Sequence, residues 1–401
     1  MRRDHNNPSV SGEIAAVIIT VTCDWDGLDY PVAGPHNPGA DRHFRFHRGL
    51  QAIQYFNRHF GGRIPLTHFI CPVYFTRSLR LTEYYAPRIS ELVAHSNCEV
   101  GLHLHGWMSL VQACGLSPAD PVQDPELPDW GTQGENRLGL SVPYVDDAGL
   151  ARLDYGHGVP LGVYPQDEIV QLAQAGRGLL LANQIIASAE ACRSFRCGGW
   201  LANDAVLAAL QITQPAFQYE TSAVDPAFFP AGSGVLADWL RLLWGSRRQS
   251  AQTFLSNQLF LAAYPQGLAI HTHSNAVTEA QPRLIQNLLE IPDTALLADY
   301  VEAGFMVDQV ARARAAVAQQ ESDVYVSLGF HLESGGDPRF GKVFGHLERV
   351  IEALDEIERR YGGAIHYLTI AKAGRRWHAT RGRNLGAYER PGDKKLSPAK
   401  K

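Results

Sequence analysis

The chain has 401 residues, 45% hydrophobic and 19% charged, with a formal net charge of -5 at pH 7. Such a length can bury one large core or two smaller ones. The mildly negative balance removes any bulk electrostatic case for a nucleic-acid partner and favours a small or neutral one.

The six cysteines (Cys23, Cys71, Cys98, Cys114, Cys192, Cys197) are scattered. None form the close pairs of a zinc knuckle or redox motif, so they read as buried free thiols. Arg2-Arg3 ahead of Ala15 to Val21 looks superficially like an export signal. The apolar part is short, however, and runs into Asp24 without a small-residue cleavage site, so the expectation is a cytoplasmic protein. No segment is long and apolar enough to span a membrane.

Val17 to Thr22 is an apolar, β-branched run that reads as a buried strand and ends in Cys23-Asp24-Trp25-Asp26-Gly27. In extended chain Asp24 and Asp26 project to one face. They read either as a converging acid pair or as a polar strand end before a turn. A Pro/Gly/His-rich loop follows (Tyr30 to His43), then a helix from Phe46 to Phe60 stopped by Gly61-Gly62, a strand from Leu66 to Phe75, a helix from Leu81 to His95 and a strand from Glu99 to His105. This βαβα alternation predicts a parallel sheet or barrel flanked by helices.

From 115 to 164 the pattern dissolves into Pro, Gly, Asp and single aromatics, an insertion long enough to be functional or mobile. A helix from Asp167 to Cys192, a strand from Phe195 to Trp200, a helix from Asp204 to Leu210 and strands at Phe217 to Ala223, Leu268 to His273 and Leu288 to Ile291 come next, with a second insertion at 226–256. Thr294 to Gln320 reads as a helix and Val324 to His331 as a strand. Leu347, Val350, Ile351, Leu354 and Ile357 form one helical stripe closed by Gly362-Gly363, and Ile365 to Ile370 is the last strand. Residues 1–375 are expected to form one domain, with 376–401 a basic, disordered tail.

Polar groups stand at four strand ends: Asp24 and Asp26, His103 and His105, Arg196, and His331. In parallel α/β barrels the carboxyl ends of the strands meet at the active site. Singly, each histidine reads as a hydrogen-bonded core residue as readily as a ligand; their shared position is the signal. His103 and His105 lie two apart, so both imidazoles face one side, and with one carboxylate they make a two-His, one-acid set with open positions for water. His271 and His273 repeat the spacing without a nearby acid and rank second.

These segments resemble the motifs of the polysaccharide deacetylases with a NodB-homology domain (carbohydrate esterase family 4). Thr22-Cys23-Asp24-Trp25-Asp26-Gly27 is similar to the first motif, a base Asp followed by a metal Asp. Glu99-Val100-Gly101-Leu102-His103 resembles the second, Phe195-Arg196-Cys197-Gly198-Gly199-Trp200 the third, Gly329-Phe330-His331 the last, and Tyr367-Leu368-Thr369-Ile370 the strand after it. The resemblance spans about Val17 to Ala373 and implies a distorted (β/α) barrel with fewer than eight regular repeats. Two departures stand out. The family's second metal His falls at Trp107, with His105 the nearest substitute by geometry, and Cys197-Gly198-Gly199 replaces the usual Pro and Tyr after the Arg, which alters the substrate wall.

The resemblance implies a metal-dependent hydrolase that removes an N-acetyl or other N-acyl group from an amino sugar. Asp26, His103 and His105 would hold the ion, zinc being the expected metal. Asp24 would be the base, Arg196 its positioning partner and His331 the acid for the departing amine. Gly199, Trp200 and Trp107 are assigned to the substrate side, a backbone N–H near Gly199 or Trp200 facing the oxyanion. Trp130, Tyr144, Tyr155, Trp200 and Trp239 read equally as sugar-stacking rings and as core of the insertions. Hydrolysis of a cyclic amide on the same barrel, or silent carbohydrate binding, are the competing readings.

Overall fold

The computed structural model describes residues 15–29, 35, 37, 39, 41–119, 141–200, 202–223, 281–320 and 322–388. Strands and helices alternate at first: β1 (Val17–Trp25), α1 (Phe44–His59), β2 (Leu66–Ile70), α2 (Leu79–Ala94), β3 (Cys98–Leu104) and α3 (Met108–Ala113). A hairpin, β4 (Val142–Val145) and β5 (Ala151–Asp154), precedes α4 (Gln166–Ala182), β6 (Ser194–Cys197), α5 (Asp204–Ile212) and β7 (Tyr219–Glu220). The last third holds β8 (Arg283–Ile285), β9 (Leu288–Glu290), α6 (Ala303–Gln320), β10 (Val324–His331), α7 (Leu332–Gly335), α8 (Leu347–Tyr361), β11 (Ile365–Tyr367) and α9 (Ile370–Tyr388).

In the main sheet the order is β10-β1-β2-β3-β6-β7-β9-β8, with β11 beside the foot of β1. Every pairing in it is parallel except that of β8 with β9. Irregular chain after β9 curls the sheet closed: the Asp293 N–H donates to the Ala223 carbonyl (2.9 Å), and the Ala295 and Ala298 N–H groups donate to Ser327 and Gly329 of β10 (2.7 Å each). The architecture is therefore α/β, a distorted (β/α) barrel.

Period-two alternation separates the two faces of β1. Val17, Ile19, Val21, Cys23 and Trp25 pack into the large core under the helices. Ile18 instead joins Phe69, Tyr219, Leu289, Tyr325 and Ile370 in a second, smaller apolar cluster. Thr20, Thr22 and Asp24 continue the Ile18 face and are buried. The face thus changes from apolar at the foot to polar at the carboxyl rim.

Several expected elements end earlier than their pattern suggested. The second strand stops at Ile70 because Pro72 opens a 3-10 turn (Pro72–Phe75). The helix expected from Thr294 begins only at Ala303, since the preceding residues are used in pairing with β10. The 115–164 insertion contains β4, β5 and a 3-10 turn at Leu161–Val163. Ile370 opens a helix rather than closing a strand, and that helix carries the basic stretch beyond Arg375, where disorder was expected, as far as Tyr388. Ile370 and Ala373 anchor it in the smaller apolar cluster, while Arg376 grips Asp323 through two hydrogen bonds (2.7 and 3.0 Å). The α8 stripe is buried as its spacing predicted, worth about 1.5–3 kcal/mol per large aliphatic side chain. The 226–256 insertion, the Leu268 to His273 strand with His271 and His273, and 389–401 lie outside the described residues.

Candidate active site

Asp24, Asp26, His103, His105, Gly199, Trp200 and His331 line one small cavity at the carboxyl rim, together with Cys197, Leu297 and Tyr300. Strand register brings them together: Asp24 pairs with His331 across β1 and β10, and His103 with Arg196 across β3 and β6. Gly198 permits the close approach of the loop after β6, because a Cβ there would lie 2.5 Å from His105 Nδ1. Trp200, with φ of 58°, holds a left-handed conformation that costs a non-glycine residue energy.

Arg196 is fully buried beneath Asp24. Its Nη1 donates to both Asp24 oxygens (2.9 and 3.1 Å) and to Thr22 Oγ1 (3.0 Å), while Nη2 and Nε donate to Thr221 Oγ1 and O (3.1 and 3.2 Å). A second carboxylate, Asp293, stands 3.4 Å from Nη2. Burial works against a charged guanidinium, but Asp24 and Asp293 outweigh it and Arg196 holds its proton more tightly than usual. Asp24 is thus fixed in place by a permanent cation.

Asp26 has different company. His103 Nε2 stands 3.0 Å and His105 Nε2 3.4 Å from Oδ1, while His157 Nε2 (3.4 Å) and His331 Nε2 (3.6 Å) face Oδ2. Burial favours the neutral acid, yet the imidazoles of His331, His105 and His103 outweigh it and hold this carboxyl well below the usual range.

The donor set suits a divalent ion. His103 Nδ1 can only donate to the Arg196 carbonyl (3.0 Å), and His105 Nδ1 only to the His157 carbonyl (2.8 Å). With Nδ1 so committed, each neutral ring turns the lone pair of Nε2 to the carboxylate, and His105 Nε2 has no hydrogen-bond partner among the described residues. Burial and the neighbouring His157 push the His105 pKa down to about 3, so a proton does not supply the missing positive charge there. Asp26, His103 and His105 offer three ligand atoms within 4.8 Å of one another, with both tautomers set by backbone carbonyls as metal-binding histidines require.

His331 is the proton-rich member. Its Nδ1 lies 3.1 Å from Asp299 Oδ2, and the other Asp299 oxygen takes His346 Nδ1 (2.8 Å). Burial disfavours the imidazolium, but Asp299 and Asp26 prevail and raise the His331 pKa to about 10. At neutral pH it holds its proton.

Trp107, assigned from the sequence to the substrate side, is instead core. It has no exposed surface, and its Nε1–H donates to the Asp26 carbonyl (2.9 Å) from behind the cavity. A side chain packed on all sides has no face left for a sugar. Trp107 is one of three anchors of the Asp26-Gly27 turn. Arg77 Nη1, ion-paired through Nε to Asp154, donates to the Gly27 carbonyl, and Glu333 Oε1 accepts from the Gly27 and Leu28 N–H groups (2.8 and 3.0 Å). Gly27 has φ of 78°, and a Cβ there would sit 2.2 Å from Val73 Cγ1, so glycine is required.

Sequence reasoning missed His157, Asp299 and Glu333. The only local cue was Gly156-His157-Gly158, a histidine between glycines within an aperiodic insertion. Tyr144 and Tyr155 are partly buried on or beside the hairpin, and Trp130 and Trp239 lie outside the described residues.

No family model matches this chain, and a search of curated proteins finds no match. Among solved structures, a candidate polysaccharide deacetylase from Mycobacterium smegmatis superposes with a TM-score of 0.46 at 12% identity, over 92% of this chain and 93% of its own. Puue allantoinase gives 0.46 at 11% identity over 95% and 98%. A CE4 family pseudoenzyme from Bacillus anthracis gives 0.26 at 10% identity over 80% and 70%. Overlaps this shallow leave the chemistry to be read from the site itself.

Proposed function

We propose that the protein is a metal-dependent hydrolase that cleaves an N-acyl group, most simply N-acetyl, from an amino sugar or glycan precursor. One observation carries this reading: a carboxylate locked on a buried arginine, an acid-and-two-histidine donor set whose Nδ1 atoms are committed to backbone carbonyls, and a proton-loaded histidine all face one cavity. Silent binding of a sugar has no use for such an acid/base set.

Asp26, His103 and His105 are the ligands in this reading, and zinc fits their two nitrogens and one oxygen with positions left open. When bound, such an ion supplies Lewis-acid polarisation of the acyl oxygen and lowers the pKa of water. Asp24, kept off the ion by Arg196, takes the proton from the attacking water. His331, kept charged by Asp299 at 3.1 Å from its Nδ1, gives its proton to the departing nitrogen. A backbone N–H of Gly199 or Trp200 is the remaining donor to the oxyanion. The substrate is a carbohydrate whose sugar lies outside the narrow cavity, so that only the acyl group enters.

The test is acetate release from N-acetylglucosamine oligomers by protein loaded with zinc, cobalt or manganese, beside chelator-treated protein and a parallel assay on a cyclic ureide. Chelator-sensitive acetate release is expected. Ring opening of the ureide without acetate release would replace the substrate class, and inactivity on both with a tightly bound ion would leave carbohydrate binding as the function.

A further inference from the structure

We infer that His157, carried by the insertion after α3, positions the ion site without being a ligand: its carbonyl fixes the His105 tautomer and its Nε2–H fixes the outward oxygen of Asp26. The inference rests on the reading of Asp26, His103 and His105 as ligands, and deepens it.

Ring geometry separates a ligand from a positioning residue. With bonds of roughly 2.0–2.1 Å and angles between octahedral and tetrahedral, two imidazoles on one ion have centroids about 4.5–5.2 Å apart and diverge. His103 and His105 meet this, at 4.7 Å and 87°. His157 does not, since it is stacked on His105 at 3.9 Å and 17°, closer than two ligands of one ion and with its lone pairs in a nearly parallel plane that does not converge with that of His105.

The proton on His157 follows from its surroundings. Asp26 Oδ2, 3.4 Å from Nε2, only accepts. With the proton on Nδ1, a buried N–H would face no partner among the described residues while two lone pairs opposed each other; with it on Nε2, the ring donates to the carboxylate. The two Asp26 oxygens then have separate duties: Oδ1 faces His103 and His105, and Oδ2 is held by His157 at 3.4 Å with His331 Nε2 beyond it at 3.6 Å, so the carboxylate does not swing away from the ligand edge.

The main chain around His157 is built to this position. The Met108 N–H donates to the Tyr155 carbonyl (2.8 Å), the Val159 N–H to that of Gly156 (3.0 Å), and a Cβ on Gly156 would come within 2.3 Å of the Gly106 carbonyl oxygen. Gly156 has φ of 96°, which a larger residue rarely adopts. Asp154, three residues upstream, is buried against Arg77 Nε (2.8 Å) and accepts from the Ser109 N–H (3.0 Å). The insertion therefore reaches the Asp26 turn twice, through His157 and through Asp154-Arg77-Gly27.

The experiment measures zinc affinity by chelator competition and the cobalt absorption spectrum in wild type, His157→Phe, His157→Gln and His157→Asn. Phenylalanine keeps the stacking and the carbonyl but loses the donor. The glutamine amide reaches the place of Nε2, and the shorter asparagine amide does not. Zinc binding about 10–100-fold weaker is expected in the Phe and Asn variants, with near wild-type affinity for Gln and the cobalt ligand field unchanged throughout. Should the Phe variant fail to fold, the Gln and Asn pair carries the same comparison. Equal affinity in all folded variants overturns the inference alone. A cobalt spectrum that loses a nitrogen ligand in every variant also overturns it, by making His157 a ligand. A wild-type protein that binds neither zinc nor cobalt overturns both this inference and the ion site beneath it.

Discussion

Asp24 and Asp26 carry the same carboxylate two residues apart and line the same cavity, but the barrel surrounds them differently. Asp24 sits over a guanidinium that donates to both its oxygens; Asp26 is ringed by four imidazoles, two of which have Nδ1 committed to backbone carbonyls and Nε2 turned to the carboxylate. A fixed cation neutralises one acid and orients it, so it can accept a proton without drifting. The other places one of its oxygens within 4.8 Å of a nitrogen from each of His103 and His105. The proposed division into base and ligand therefore rests on the neighbours of each acid, since residue type alone does not separate them.

The sharpest way to break the comparison is Asp24→Asn. The amide keeps the shape but removes the proton acceptor, so kcat should fall by about 10²–10⁴-fold with metal content unchanged and substrate affinity little altered. Arg196 retains Asp293 at 3.4 Å, which moderates the instability of an unpaired buried charge. Metal analysis and steady-state kinetics on the same preparation check it, and loss of the ion from Asp24→Asn would exchange the two roles.

Asp26→Asn is the complementary change. It should lose the ion, and because Asp24, Arg196 and His331 remain, excess metal should restore part of the activity. Activity that persists after chelation would show that Asp26 does not serve an ion.

A smaller effect is expected at the acid end. Asp299 is the main cause of the raised His331 pKa, so Asp299→Asn should bring that pKa down from about 10 towards the ordinary histidine value of about 6.5. The alkaline limb of the kcat profile should then move to lower pH, with a several-fold loss at pH 8 and less at pH 6. An unmoved limb would take the proton donor's role from His331.

How much of this was legible in the sequence follows from where phase is fixed. Asp24, His103, Arg196 and His331 stand at ends of strands whose apolar runs announce them, and parallel topology places such ends together. Asp299 was hidden because Ala298-Asp299-Tyr300 continues an apolar pattern that reads as helix, whereas the chain spends those residues closing the barrel on β10. His157 reaches Asp26 only through tertiary packing of Gly156 on Gly106, which no periodicity encodes. Trp107 misled for the opposite reason. Its place in a motif suggested the substrate, while its indole was needed to hold the Asp26 carbonyl.

The smallest expected effect concerns a carboxylate that forms no ion pair among the described residues, Arg196 acting on it only through its field. Glu220 lies opposite Glu290 in neighbouring strands, and its Oε2 has no hydrogen-bond partner among the described residues. Burial and the charge of Glu290 push its pKa up to about 8, so the two acids titrate as a pair that retains a proton near neutrality. A carboxyl whose folded pKa exceeds its unfolded value binds its proton more tightly when folded. Its contribution to stability is therefore greatest below the unfolded value of about 4.3 and declines as pH rises through the folded one. Glu220→Gln keeps an oxygen for the Ser222 N–H that Oε1 now accepts (2.7 Å) and removes the titration. Its stability relative to wild type should improve from pH 5 to pH 9, by an amount on the order of 1 kcal/mol or more, with kcat little changed because Glu220 does not line the cavity. Urea unfolding at the two pH values decides the matter. A difference that is the same at both would mean that Glu220 is already matched by positive charge, as Asp24 is by Arg196, and the contrast between matched and unmatched acids would not extend past the site.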